Sequence, residues 1–453
     1  MVNCGWLGTS LADGVVDLPL KILLKDRLGL EASTLATFTL IGLIPIYIKP
    51  LAGILSDAVP LFGTRRLHYL LLSLVFGGIF WVMMAMVPLQ APRTGDLSRM
   101  GTPPAAAGAS VSRSEAAPAS PAPGENSGTT AETKPRAQQA FFILLAIYFL
   151  TNVCSTFRST VLGGVMVEVG KLYHATGLLS AWRQALTRGV SVVTGLVVGE
   201  LAKKPFLLPT SISAALHVIT AAVMYRMLDE PRTAKPRHEV LLEVKRQGRQ
   251  LMDSRILWAA AGLVVLVIAS PGFGTPLLYH QLDTLKFSKP FIGYLGIVSA
   301  LGAVVGTVIY GFVCRFWNLR QTLIVSIIFH SVMTLWYLAY RSETSAVIIT
   351  GVEAMTGILA ILPLYDLSAR ATPKGSEALG YSLMMSVWNL TGQVSDVTGS
   401  FLYDFFGKNL HPLVWINSGT TLLVLLAVPF LPAALVDHRE GESRGGGLST
   451  DGH

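Results

Sequence analysis

About twelve long, mainly apolar stretches follow one another along this chain, and nothing constrains its fold more. They cover approximately residues 3–24, 33–55, 67–89, 139–168, 176–201, 205–228, 256–280, 290–314, 321–340, 345–368, 376–402 and 411–435. A helix needs roughly 20 such residues to cross the hydrocarbon core of a bilayer. Only helices or closed barrels satisfy their backbone groups in lipid. The apolar runs are continuous and do not alternate, so helices are expected. Composition agrees: 51% of the 453 residues are hydrophobic and 14% are charged, against about 25% charged in a typical soluble domain. So few charges cannot cover a water-facing surface of this size. The expected fold class is an all-α polytopic membrane protein with about twelve transmembrane helices in two six-helix halves.

The polar segments divide the chain. Residues 91–138 are rich in Ala, Pro, Ser and Gly and are expected to be a disordered loop inside the first half, residues 1–228. Residues 229–255 are polar and basic and are expected to link the halves on the cytoplasmic side. Val240, Leu241, Val244 and Leu251 recur there near helical spacing, as on a surface-lying amphipathic helix. The second half is expected over 256–436, followed by a disordered tail over 437–453. Counting Lys and Arg in the loops places both termini in the cytoplasm. The first stretch is not expected to be a cleaved signal, because it has no basic n-region and carries carboxylates.

The net charge of +8 fits basic cytoplasmic loops better than nucleic-acid binding, since no basic run is interleaved with aromatics. Cys4, Cys154 and Cys314 are far apart and lack metal-ligand spacing. His68, His174, His280 and His411 form no metal pattern. The chain has no phosphate-cradling glycine loop followed by Lys and Ser/Thr, so ATP-driven pumping is unsupported. No cofactor or metal is expected.

Between the second and third stretches lie Gly53, Asp57, Gly63, Arg65 and Arg66. Glycine allows close helix approach. A carboxylate there can engage a helix N-terminus or an arginine. A generic basic turn is the plainer alternative. The pattern resembles the conformational-switch loop of the major facilitator superfamily, with a longer spacing between Asp57 and Gly63. The phrases Leu24-Lys25-Asp26-Arg27-Leu28-Gly29-Leu30 and Ile44-Pro45-Ile46-Tyr47-Ile48-Lys49-Pro50 precede it. Ser270-Pro271-Gly272-Phe273, Leu285-Lys286-Phe287-Ser288, Thr372-Pro373-Lys374-Gly375-Ser376-Glu377 and Met385-Ser386-Val387-Trp388-Asn389 follow in the second half. Together they resemble the folate–biopterin transporter family within that superfamily. The resemblance implies a secondary transporter that alternates access between two halves, with spans one, four, seven and ten around the central site. It also implies aspartates before Glu168; this sequence has none there and carries Arg158 instead.

The ionisable residues inside apolar stretches are the site candidates, since each costs about 2.5–3.5 kcal/mol or more to insert. Asp13 and Asp17 lie four apart, on one helix face, with Lys21 four further on. Two carboxylates sharing a site tend to hold one proton, which suits coupling; an internal Asp17–Lys21 ion pair is the alternative. Arg158, Arg183 and Arg188 offer guanidinium forks matched to an anion, or pair with Asp13, Asp17 or Glu353. Ser386, Asn389, Gln393 and Asp396 step along one face of the eleventh stretch, toward a cavity or in interhelical bonding. For a pterin-like ring, a carboxylate could grip the amino-pyrimidine edge and an arginine the glutamyl tail.

These readings give a small-molecule substrate, the lipid bilayer and a possible coupling proton as partners, with no nucleic acid. The protein is expected to be a monomer in the cell (inner) membrane and not an enzyme. A different organic anion or amphipathic solute, a polytopic membrane enzyme and a non-transporting receptor are the alternatives.

Overall fold

The structure, a computed structural model, describes residues 2–59, 61–64, 66–89, 129–172, 176–228, 237–373 and 376–430. Those residues are helical apart from short turns and one isolated backbone bridge. Six single helices are long and apolar enough to cross a membrane outright: Leu67–Met86, Gln138–Met166, Leu207–Met227, Lys289–Val313, Leu319–Ala339 and Glu343–Ser368. The other expected spans are broken or carry charge.

In the first half, α1 (Val2–Leu28) packs on α6 (Thr129–Leu172), α7 (Thr176–Leu201) and α8 (Leu207–Met227), while α5 (Leu67–Met86) packs on α6 and α8. The second expected span is three helices: α2 (Ala32–Gly42), α3 (Ile44–Tyr47) and α4 (Lys49–Ala58). Pro45 and Pro50 explain the breaks, since each lacks an amide donor and each opens a new helix. Helix α6 starts at Thr129, so the expected loop ends about ten residues earlier than 138; Ala131, Glu132, Arg136 and Ala137 are good helix formers. The remainder of that loop, residues 229–236 of the linker and the tail lie outside the described residues.

A linker helix, α9 (Arg237–Asp253), meets α10 (Arg255–Ile268) at a 69° bend. Ser254 caps α10 by accepting from the Leu257 amide at 3.2 Å. The α9 stripe turns Leu251 inward, 3% exposed, and leaves Leu241 outside. The seventh span then breaks at Ser270–Phe273 and resumes as α11 (Gly274–Tyr279) with one wide turn to Thr284. It is followed by α12 (Lys289–Phe316), α13 (Leu319–Thr334), α14 (Glu343–Ala371), α15 (Glu377–Phe405) and α16 (Leu410–Leu423). Helix α14 packs on α12 and α13, and α15 packs on α10.

The outer faces are apolar. Leu72, Phe76 and Met83 on α5, Val218 and Ile219 on α8, and Val304, Val308 and Phe312 on α12 are all exposed. A patch of this extent on a soluble protein would be an aggregation hazard; here it is the lipid face.

The most extensive packing between the halves is α7 on α12 and α2 on α15, with α15 also meeting α3 and α4, and α11 meeting α2. Backbone meets backbone in the first pair. A Cβ on Gly199 would lie 2.5 Å from the Lys289 carbonyl oxygen, and one on Gly293 would lie 2.8 Å from that of Gly195. Small residues permit that approach, which supplies packing energy where lipid gives no hydrophobic drive.

Candidate functional site

The end of the bundle where α1 finishes is closed by contacts between the halves. Lys25 donates to Asp283 at 2.5 Å and Lys289 to Asp26 at 2.9 Å. The Ser33 amide donates to Asp404 at 2.9 Å, and the Tyr279 hydroxyl donates to the Leu30 carbonyl. Lys25 also sits over the Tyr279 ring, 5.1 Å from its centre. Beneath these lies one apolar cluster that includes Leu24, Leu35 and Phe38 from the first half and Tyr279, Leu295 and Tyr403 from the second. Charge pairs outside and apolar packing inside seal this end. The paired charges near helix ends are individually weak, and the apolar layer excludes water.

Deeper in the first half, a cavity of about 150 Å³ is lined by Asp13, Asp17 and Leu20 of α1, Trp81 of α5, and Tyr148, Thr151, Asn152 and Ser155 of α6. Two carboxylates and two large aromatic rings therefore face one space. A larger cavity of about 340 Å³ lies near the sealed end, lined by Asp26, Arg27, Lys203, Lys204 and Lys289 among others; it shares no lining residue with the smaller one.

Each aspartate has its own cation. Arg158 Nη2 donates to both oxygens of Asp13, at 2.9 and 2.6 Å, and its Nη1 lies 2.9 Å from His217 Nε2. The Ser213 carbonyl, which can only accept, is 2.8 Å from His217 Nδ1. Nδ1 therefore carries the ring proton, and Nε2 offers a lone pair to Arg158. This arrangement holds a neutral imidazole behind a cation, with the cation behind a carboxylate. Arg158 is 2% exposed and Asp13 42%, so the arginine is a buried support and the aspartate is the group the cavity meets. Asp17 pairs with Lys21 at 2.9 Å, one helical turn on. Lys21 is also within electrostatic reach of Asp396, across the halves.

In the second half, Asp396 is committed to the broken seventh span. Its carboxylate accepts from the Thr275 amide at 2.8 Å and from the Thr275 hydroxyl at 2.6 Å. The Gly272 amide donates to Ser395 O, Ser395 Oγ to Ser270 O, and Asn417 Nδ2 to the Pro271 carbonyl. Backbone freed by the break is thus satisfied by α15 and α16, as lipid-embedded irregular backbone requires. On the same α15 stripe, Asn389 is partly buried, Ser386 bonds the Ser382 carbonyl, and Gln393 Oε1 is enclosed without a partner. Glu353 of α14 faces His330 of α13, with Oε1 3.6 Å from Nδ1, and its Oε2 is enclosed without a partner.

Arg183 lies over the Trp6 ring, 4.6 Å from its centre. The candidates therefore fall into separate groups: Asp13, Asp17, Lys21 and Arg158 together; Asn389, Gln393 and Asp396 along α15; Arg183 and Glu353 each apart.

Of the loop after α4, Gly53 faces Thr160 of α6, and Gly63 takes a left-handed φ of 83° in a turn closed by Leu61 and Thr64. Arg66 rests against Gly164 of α6. Arg65 and the side chain of Asp57 lie outside the described residues.

Sequence reasoning missed His217, His330, Trp81, Tyr148 and Asn152. The two histidines carried a usable signal, because an ionisable residue inside a membrane span is a functional candidate by default. Trp81 and Tyr148 carried none, since aromatics are common in apolar helices.

Relatives share this organisation over nearly the whole chain. The folate-biopterin transporter of Synechocystis sp. is 26% identical over 442 residues, covering 93% of this chain and 79% of the relative. The putative folate transporter 2 of Plasmodium berghei is 22% identical, covering 94% and 87%. Among solved structures, a D-xylose–proton symporter aligns with a TM-score of 0.65 at 12% identity, covering 95% of this chain and 96% of the other. A nucleoside transporter aligns with a TM-score of 0.63 at 13% identity, covering 95% and 98%. These likenesses carry the fold, the two-half major facilitator architecture. The family profile matches residues 9–94 and 133–445, so the chain belongs to the BT1 family, a family of multi-pass membrane transporters and not of enzymes.

Proposed function

We propose that this protein is a secondary transporter that moves a pterin- or folate-like solute by alternating access of its two halves. The observation that carries the reading is the cavity in which Asp13 and Asp17 stand beside Trp81 and Tyr148. A pterin ring has a flat face for such aromatics and an amino-pyrimidine edge that donates two hydrogen bonds to one carboxylate. Asp13, held by Arg158, is oriented for that grip. The relatives named for folate and biopterin support the same class. A seal at one end with the site below it is what an alternating-access cycle needs.

The end where α1 starts is assigned to the cytoplasm, because the basic helix α9 lies there, and the membrane to the cell (inner) membrane. The protein works as a monomer. Two places suit a coupling proton: Asp17, whose partner Lys21 also senses Asp396, and Glu353 beside His330. The test is uptake of tritiated folate and biopterin into proteoliposomes. Asp13→Asn and Asp17→Asn should each lower uptake at least tenfold. Uptake equal to the parent in both variants would overturn the site. A solute panel with nucleosides and amino acids decides between this cargo and another organic solute.

A further inference from the structure

We propose that the cavity of about 340 Å³ at the sealed end binds a phosphate-bearing anion, for which the headgroup of an acidic phospholipid is the fitting source, and that this anion bridges the two halves. The site is separate from the solute site and does not depend on the nature of the cargo.

Among the described residues, four cations line the cavity: Arg27 of α1, Lys203 and Lys204 of the turn between α7 and α8, and Lys289 of α12. One carboxylate, Asp26, lines it with them and is held by Lys289 at 2.9 Å. Lys203 bonds Glu200 at 3.0 Å. The lining keeps a positive excess even with Glu200 counted against it. Helix α8 begins at Leu207, next to the lining residues Pro205 and Phe206, and α12 begins at Lys289. Two helix N-termini, each the positive end of its dipole, therefore open at the rim and add to the attraction for an anion.

Depth in the bilayer points to the source. The crossing spans Leu207–Met227 and Lys289–Val313 both begin at this cavity, so it lies where hydrocarbon gives way to headgroups. Leu207 and Leu208 are exposed in the first turn of α8, and Tyr294 is exposed early in α12, as suits side chains at the edge of the core and at the interfacial level. Pro19, Leu23 and Phe206 give the cavity an apolar part beside its cations. A basic cavity between spans at that depth suits an acidic headgroup.

The bridging role follows from where the cations come from. Three belong to the first half and Lys289 to the second. The Lys289 carbonyl also makes the close approach to Gly199, so the cavity adjoins the tight α7–α12 contact. Parting the halves at this end withdraws Lys289 from the other three cations. A bound anion thus favours the sealed arrangement.

The test uses the purified full chain, exchanged from micelles holding equal phosphatidylglycerol and phosphatidylcholine, with the retained lipid counted by native mass spectrometry. The parent should retain phosphatidylglycerol in preference. Arg27→Gln combined with Lys204→Gln spares the Lys289–Asp26 pair and should weaken that preference roughly 10–30-fold, at about fivefold for each cation removed. Lys204→Arg should keep the preference. Lys408→Gln, at an exposed lysine that lines neither cavity, should also keep it. Parent-like unfolding midpoints in phosphatidylcholine alone establish that the variants are folded. Inorganic phosphate that displaces the lipid, or that protects the parent against unfolding but not the double variant, keeps the site and makes a soluble phosphate a second source. For the bridging role, maleimide labelling of Leu20→Cys from the sealed side, with Cys4, Cys154 and Cys314 replaced by serine, should slow about fivefold when phosphatidylglycerol is added to phosphatidylcholine nanodiscs. Equal retention of the two lipids with no effect of phosphate, or the same loss of preference in Lys408→Gln as in the double variant, would overturn the site. Preferential retention with unchanged labelling would overturn the bridging role.

Discussion

Asp13→Ala is expected to destabilise the protein more than Arg158→Met, and combining them should restore part of the loss. The asymmetry follows from burial. Arg158 is 2% exposed and Asp13 42%. Removing Asp13 strands a buried guanidinium whose remaining partner is His217 Nε2, a neutral acceptor. Breaking such a pair from the exposed side costs about 3–5 kcal/mol. Removing Arg158 leaves a carboxylate that the cavity can hydrate, at a cost nearer ~1–3 kcal/mol, most of it the unpartnered histidine. The double variant removes the stranded charge and should recover at least ~2 kcal/mol relative to Asp13→Ala. With roughly 2–4 °C per kcal/mol for a unit the size of one half, Asp13→Ala should lower the unfolding midpoint by about 6–20 °C. The assay is thermal unfolding of purified protein in one detergent at one scan rate. A double variant no more stable than Asp13→Ala alone would refute the idea that the guanidinium is stranded.

Three further outcomes follow from other parts of the fold. Lys25→Ala combined with Asp404→Ala should loosen the seal by about 1–2 kcal/mol. In a background where Cys4, Cys154 and Cys314 are serine, maleimide labelling of Leu20→Cys from the sealed side should then rise roughly 5–30-fold. Gly399→Ala would place a Cβ 2.0 Å from the Gly272 carbonyl; overpacking there should cost about 1–3 kcal/mol, read as a lowered unfolding midpoint and lost uptake. If Glu353 carries the coupling proton, Glu353→Gln should abolish the dependence of uptake on an imposed pH gradient while leaving counterflow intact; unchanged gradient dependence would move that role to Asp17.

Much of this was legible before any coordinates, and the reasons differ by residue. The α1 face bearing Asp13, Asp17 and Lys21 followed from helical spacing alone, and the Asp17–Lys21 bond is the local pair that spacing allows. Pro45, Pro50 and the Ser270–Phe273 run announced breaks that a reading of whole spans passed over. Pairings across the bundle were different. Asp13 and Arg158 are 145 residues apart and Lys25 and Asp283 are 258 apart. Nothing in the local sequence sets which distant charge a helix turns toward, so Arg158 had several candidate partners until the packing of α1, α6 and α8 chose Asp13. Lys25 and Asp26 were visible as residues of a family phrase; their role in the seal needed the opposing half.

The role of Asp396 shows why a polar stripe does not define a cavity wall by itself. Spacing placed it with Asn389 and Gln393 on one face, and α15 does pack on α2 of the first half. Yet both its oxygens serve Thr275 at the restart of the seventh span. A solute reaching for Asp396 would compete with the bonds that hold the break closed. A carboxylate placed there ties any change near Lys21 to the geometry of α11, and α11 carries Tyr279, the residue that bonds Leu30 in the seal. Charge in the middle of the protein and closure at its end therefore share one short helix. Asp396→Asn retains an acceptor for the Thr275 amide but loses the charge that Lys21 senses. It should leave the fold intact and alter labelling at the seal. Labelling of Leu20→Cys unchanged by Asp396→Asn would break that link and leave Asp396 as a purely local support for the broken helix.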